Sequence, residues 1–342
     1  MAEAVAAKDT SIETAQRRPW PPEFNILAGL VLIALVFEVL GWILIHRSFL
    51  ANPARLQIMI LQVSIVGIVA VGVTQVIITG GIDLSSGSVV SATAIITMSF
   101  AQVSTYARAV FISIGWVDLP VIVPIAVGLA CGLIAGLING MIIAYTKIPP
   151  FIATLGMMVS ARGVADWYTK GQPVSFPTDG YVAIGAGVRP VIIFVILALI
   201  FQLIMRYTLY GKRTYAIGSN ESAARVSGIN VERHLILVYT IAGLLSAVAA
   251  IVVSSRNLTA QAGMGFGYEL DAIAMTVIGG TSLYGGRGSI FGTVLGALIF
   301  GVIISGFTFL RIDAFYQEMI KGAIIIGAVV QDVYRQRRRG RV

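Results

Sequence analysis

The sequence predicts an all-α fold: a polytopic membrane helical bundle of about ten transmembrane helices, with broken glycine-rich segments. Three observations carry this. Of 342 residues 57% are hydrophobic and only 12% charged, with mean hydropathy +0.89, whereas soluble domains carry about a quarter charged residues. Apolar runs recur that reach the roughly 20 residues needed to cross a bilayer. From Leu56 to Ser104 the only charged residue is Asp83, inside VIITGGIDLSSGSVV at 76–90.

Residues 1–24 are polar and proline-bearing (RRPWPPEFN, 17–25) and are expected to form a cytoplasmic tail. They do not read as a cleavable signal, because the apolar run that follows is too long and lacks a cleavage-like site. The membrane-spanning body is expected over 25–333, with spans at 25–45, 56–78, 84–104, 120–144, 151–168, 190–206, 235–254, 270–284, 289–309 and 315–333. Span 1 carries Glu38, and span 2 carries Gln57, Gln62, Thr74 and Gln75. Gln62 and Gln75 do not share a helical face, so no single polar stripe is predicted. Both amides are candidate lining residues, since an amide can both donate and accept hydrogen bonds; interhelical hydrogen bonding is the competing use. Gly132, Gly136 and Gly140 in span 4, and Gly288, Gly292 and Gly296 at the start of span 9 and just before it, are spaced for close helix contact, within the bundle or at a dimer seam. The prolines at 149 and 150 suit the first turn of span 5. Glu269 and Asp271 open span 8, where carboxylates favour a helix N-terminus. Lys321 in span 10 can pair with Glu318 or Gln317 one turn earlier.

An even span count puts both ends on one side, and the arginine-rich tail at 334–342 (RQRRRGR, 335–341) makes that side cytoplasmic. Segments assigned inside hold 15 cations and those outside hold 7, the bias expected of a multi-pass protein. The formal charge of +8 is thus a topology signal, and no aromatic stacking platform accompanies it for nucleic acid. Cys131 is the only cysteine, so no intrachain disulfide forms. The two histidines, His46 and His234, fall at opposite ends of the topology, leaving no metal-ligand cluster and no nucleophile–base pair. No catalytic residue is assigned.

GGIDLSSG (80–87) and GGTSLYGG (279–286) share Gly-Gly-x-x-Leu-x-x-Gly at an offset of 199. Paired interruptions in two halves point toward a transport pathway. Gly80, Gly81, Gly279, Gly280, Gly285 and Gly286 are therefore read as helix-break glycines. A carboxylate in mid-bilayer costs roughly 2.5–3.5 kcal/mol even on the gentlest scale. Asp83, with Ser85 and Ser86, is read either as a cap on the helix that restarts near Leu84 or as polar lining of the pathway.

The longest polar stretch is 206–234. Within it SNESAARVSG (219–228) reads as a short helix: Ser219 or Asn220 caps it, Glu221 sits in its positive first turn and Gly228 suits the left-handed C′ position. Glu221 and Arg225 are one turn apart, and Ser222, Ala223, Ala224 and Ser227 are small enough for close seating on another protein. Two turns of helix need support, so the segment is either an ordered connector or a docking helix.

VIITGGIDLSSGSVVSATA, IPPFIATLGMM, YAIGSNESAARVSGINV and ELDAIAMTVIGGTSLYGGRGSIFGTVLGALI occur in this order. Together they resemble the membrane permeases of bacterial ABC importers for monosaccharides, the ribose, galactose, xylose and arabinose group, over about 56–333. The resemblance implies a bacterial inner-membrane location, a second permease copy, a periplasmic sugar-binding protein and a cytoplasmic ABC ATPase that binds ATP and magnesium. It also implies that 219–228 is the coupling helix seated in that ATPase. The chain itself has no Gly-x-x-x-x-Gly-Lys-[Ser/Thr] phosphate loop. PPFIATLGMMVSARG, YTKGQPVSF and SGFTF are similar to permeases of the myo-inositol type. A proton- or sodium-coupled sugar transporter is the alternative class; it would need carboxylate relays, for which only Glu38 and Asp83 offer material.

Overall fold

The computed structural model describes residues 22–337; residues 1–21 of the expected N-terminal tail and 338–342 of the arginine tail lie outside the described residues. Thirteen α-helices are described: α1 (Pro22–Leu44), α2 (Pro53–Ile78), α3 (Ser86–Ala101), α4 (Ile122–Thr146), α5 (Pro150–Thr169), α6 (Asp179–Gly185), α7 (Arg189–Tyr207), α8 (Leu209–Ser219), α9 (Glu221–Val226), α10 (Val231–Asn257), α11 (Tyr268–Ile278), α12 (Ile290–Phe309) and α13 (Ala314–Arg337). Two-residue strands β1 (Val174–Ser175) and β2 (Thr259–Ala260) pair antiparallel.

The expected count of about ten spans is matched in part: among the described residues six helices, α1, α2, α4, α7, α10 and α12, are long and apolar enough to cross a membrane. At 16 and 11 residues, α3 and α11 reach only about 24 and 16 Å at 1.5 Å per residue, against a hydrocarbon core of about 30 Å. α5 and α13 are long but more polar: α5 carries Arg162 and Asp166, and α13 carries Glu318, Lys321 and Asp332.

α2, α10 and α12 form the buried centre, and α1, α4 and α7 turn apolar side chains such as Leu32, Ile134 and Leu199 outward. Lipid tails give no hydrophobic drive between helices, so close backbone contact must hold the centre together. Both glycine rows do this inside the chain. A Cβ at Gly132 would strike the Gly243 carbonyl of α10, and one at Gly140 would lie 2.7 Å from the Ile236 Cα. Across the second seam, Gly292 and Gly296 of α12 meet the carbonyls of Gly279 and Met275.

Contacts sort the connections into two ends. One gathers 79–85, the start of α5, α8–α9 and 279–289. The other gathers 45–55, the β1–β2 pair and the C-termini of α10 and α12.

Candidate functional site

Two helix stops build the site. α2 ends in a Schellman turn: Gly80 has φ +84°, its N–H donates to the Ile77 carbonyl at 2.9 Å, and the Gly81 N–H donates to the Val76 carbonyl at 3.1 Å. α11 ends the same way: Gly280 has φ +87°, its N–H reaches the Val277 carbonyl at 2.9 Å, and the Thr281 N–H reaches the Thr276 carbonyl at 3.1 Å. Spatially the repeat is therefore 200 residues, not the 199 of the sequence echo. Gly80 corresponds to Gly280, while Gly279 takes the place of Thr79 as the αR cap residue. The left-handed residue sets the register, and only one glycine of each pair is left-handed. The breaks also touch each other. The Gly286 N–H donates to the Ile78 carbonyl at 2.8 Å, and Thr74 Oγ1 lies 3.2 Å from Thr276 Oγ1 and 2.7 Å from Thr293 Oγ1.

Asp83 is buried in the first break. Its Oδ1 accepts from the Ser85 N–H at 2.8 Å and from Ser85 Oγ at 2.6 Å, and Asn139 Nδ2 donates to Ser85 Oγ at 2.9 Å. Asp83 does not cap α3: Ser85 occupies the N-cap place without a side-chain bond to the helix. The carboxylate instead tightens the turn before the helix, an Asx-type use. Ser86 is buried, and its hydroxyl has no hydrogen-bond partner among the described residues. One hydroxyl, Thr154 Oγ1, accepts from the Leu84 N–H at 3.2 Å and donates to the Ile82 carbonyl at 3.1 Å, fastening the break to α5.

The two amides part company. Gln75 is fully buried; its Nε2 donates to the Val71 carbonyl at 3.0 Å, and its Oε1 accepts from Tyr210 Oη at 2.7 Å. Gln62 is exposed between buried Leu61 and Val63 and lines two adjoining cavities of about 520 and 420 Å³ near the opposite end of α2. Glu269 and Asp271 lie in the first turn of α11, as expected, while the N-cap place itself is taken by Gly267, whose φ of +79° favours glycine. Asp271 faces Lys321 at 3.7 Å, and Lys321 Nζ also lies 2.8 Å from Glu318.

The polar stretch after α7 holds two helices, α8 and α9. Ser219 closes α8 and Asn220 caps α9, its Oδ1 accepting from the Ala223 N–H at 2.9 Å. The expected 219–228 helix is thus six residues with its caps. Gly228, φ +82°, ends it: its N–H meets the Arg225 carbonyl at 3.0 Å and the Ile229 N–H meets the Ala224 carbonyl at 3.1 Å. Arg225 bonds Glu221 at 2.7 Å and Glu232 at 2.5 Å, and these carboxylates, Glu221 first, hold its guanidinium above the usual range. Ser222, Ala223 and Ser227 are exposed, but Ala224 is buried against Ile217 and Val231, so it cannot meet a partner. Val226, 91% exposed, is the apolar tip that sequence reasoning passed over. The base of this unit touches both breaks. A Cβ on Gly218 would strike the Ile78 carbonyl and lie 2.6 Å from the Gly286 nitrogen, and Tyr215 Oη donates to the Gly288 carbonyl at 2.8 Å.

Residues 56–329 match the family described as branched-chain amino acid transport system / permease component. The chain is 42% identical over 311 residues to the ribose import permease protein RbsC of Bacillus subtilis, covering 89% of this chain and 90% of that one. RbsC of Haemophilus influenzae is 38% identical over 319 residues, covering 91% and 92%. The galactose/methyl galactoside import permease protein MglC of the same organism is 34% identical over 321 residues, covering 90% and 95%. No solved structure matches the chain.

Proposed function

The chain belongs to the family of branched-chain amino acid transport system permease components, and on that premise we propose that it is the membrane permease of an ATP-driven importer for a monosaccharide. The family description names amino acids, but the relatives that align over nine-tenths of the chain are ribose and galactose import permeases. That alignment carries the reading. In it the chain is a transport subunit, multi-pass in the bacterial inner membrane, while a separate cytoplasmic ATPase binds ATP and magnesium and a periplasmic binding protein delivers the sugar.

The mechanism follows from the junction. Interactions that hold two discrete packings together can pass a motion from one site to another. α8–α9 seats α9 on the ATPase, with Ser222, Ala223, Ser227 and Val226 as the contact face. Its base abuts Ile78 and Gly286, so a shift of α9 moves both helix breaks together. The short α3 and α11 restart or stop within the bilayer and complete a ten-segment arrangement, with both tails (1–24 and 334–342) and the 207–234 loop cytoplasmic. A second copy of the chain completes the passage.

Reconstitution into proteoliposomes with the partner ATPase and binding protein tests this. Uptake should require ATP and all three proteins and should ignore proton and sodium ionophores. Uptake driven by an ion gradient without ATP would instead support a secondary transporter. Running the same assay with ribose, galactose and myo-inositol separates the sugar from the cyclic polyol.

A further inference from the structure

The two cavities near the end of the bundle away from α8–α9 share Met59, Gln62 and Ile304 in their walls and so adjoin. The one lined by Asp271 and Lys321, about 420 Å³, lies in the size range of small-molecule sites. Its wall combines apolar groups such as Val66, Met275 and Phe300 with Gln62, Asp271 and Lys321. A sugar presents the same mixture, with C–H faces between hydroxyls.

Asp271 and Lys321 stand 3.7 Å apart, beyond the usual hydrogen-bond range of about 2.7–3.2 Å. Their side chains keep 18% and 19% exposure, so neither is sealed and the contact between them is loose, while Lys321 Nζ also holds the exposed Glu318 at 2.8 Å. A charged pair among membrane helices is costly, and such residues face a cavity or one another. This pair does both. The ammonium has three donors and the carboxylate only acceptors, so together they can take both ends of a vicinal diol.

We infer that the Asp271–Lys321 pair is a contact site for the hydroxyls of a monosaccharide in transit, with Gln62 on the wall of the same cavity. This rests on the importer reading above. It adds to the sequence expectation for Asp271, a helix N-terminal carboxylate, which its place in the first turn of α11 meets.

The test uses the complex with its ATPase, in a Cys131→Ser background carrying Ile304→Cys, and follows labelling of residue 304 by a polar maleimide. Ribose or galactose in excess should slow labelling at least about threefold, the effect of roughly two-thirds occupancy. Lys321→Gln and Asp271→Asn should each abolish that protection while the complex still assembles. If either single variant fails to assemble, the double variant Asp271→Asn with Lys321→Gln leaves neither charge unpaired, and protection should be lost there too. Full protection in the single variants or in the double variant overturns the inference, as does absent protection in a complex that imports sugar. Absence of ATP-dependent sugar uptake by the parent complex would instead overturn the underlying functional reading.

Discussion

The backbone N–H of Gly286 donates to the carbonyl of Ile78 at 2.8 Å, so two helix breaks about 200 residues apart in sequence share a hydrogen bond at the base of α8–α9. Gly218 stands over that bond with no room for a side chain. Gly218→Val should force the three segments apart, an overpacking cost of about 1–3 kcal/mol. The expected result is a lowered melting temperature in detergent together with lost uptake. A variant that melts and transports like the parent would show the junction to be slack.

The seam between α4 and α10 gives a paired comparison. Gly136→Leu drives a side chain into the Tyr239 carbonyl, whereas Gly156 on α5 has nothing within 4 Å of its would-be Cβ. Gly136→Leu should therefore sharply reduce the folded, membrane-inserted fraction, and Gly156→Leu should leave the monomer fold intact. Fluorescence-detected size-exclusion chromatography reads both.

At Asp83 the chemistry of the acceptor decides. Asp83→Asn keeps an oxygen for the Ser85 N–H, while Asp83→Ala leaves that turn unsatisfied. Leaving a buried donor without its partner costs about 1–3 kcal/mol. Alanine should cut uptake and lower the melting temperature, with asparagine closer to the parent and ATPase binding unchanged in both. Equal uptake by all three would remove Asp83 from the transport machinery.

Asn220→Ala removes the cap of α9, a loss of about 0.5–2 kcal/mol by the usual worth of such caps. Since six residues cannot hold a helix alone, the expected effect is weaker capture of the ATPase by the solubilised permease. Asn220→Asp, which keeps the acceptor, should restore it.

How much of this was legible depended on sequence distance. Local signals worked: Asn220 and Gly228 bracket α9 because cap chemistry acts within four residues. The breaks at Gly80 and Gly280 were also visible, since a left-handed helix stop favours glycine. Their true register was not, because each carries two glycines and only the backbone decides which takes positive φ. α8 was missed because LYGKRTYAIGS has a glycine near each end and little apolar character; contacts with both breaks support it. α3 and α11 are shorter than the segments expected there, since apolar composition continues through the breaks. Ala224 looked like a contact residue until Ile217 and Val231 closed over it, and Gln62 separated from Gln75 only when their neighbours on other helices were in place.

The central claim is that α9 carries ATPase motion to the helix breaks, and Val226 tests it most directly. This side chain is 91% exposed and supports nothing within the chain's core, so Val226→Asp should leave the permease folded. The decisive measurement is sugar taken up per ATP hydrolysed in proteoliposomes holding the variant, the ATPase and the binding protein. The account predicts that the ratio collapses, either because the ATPase no longer assembles or because it hydrolyses ATP without transport. A ratio equal to the parent's, with normal assembly, would contradict it.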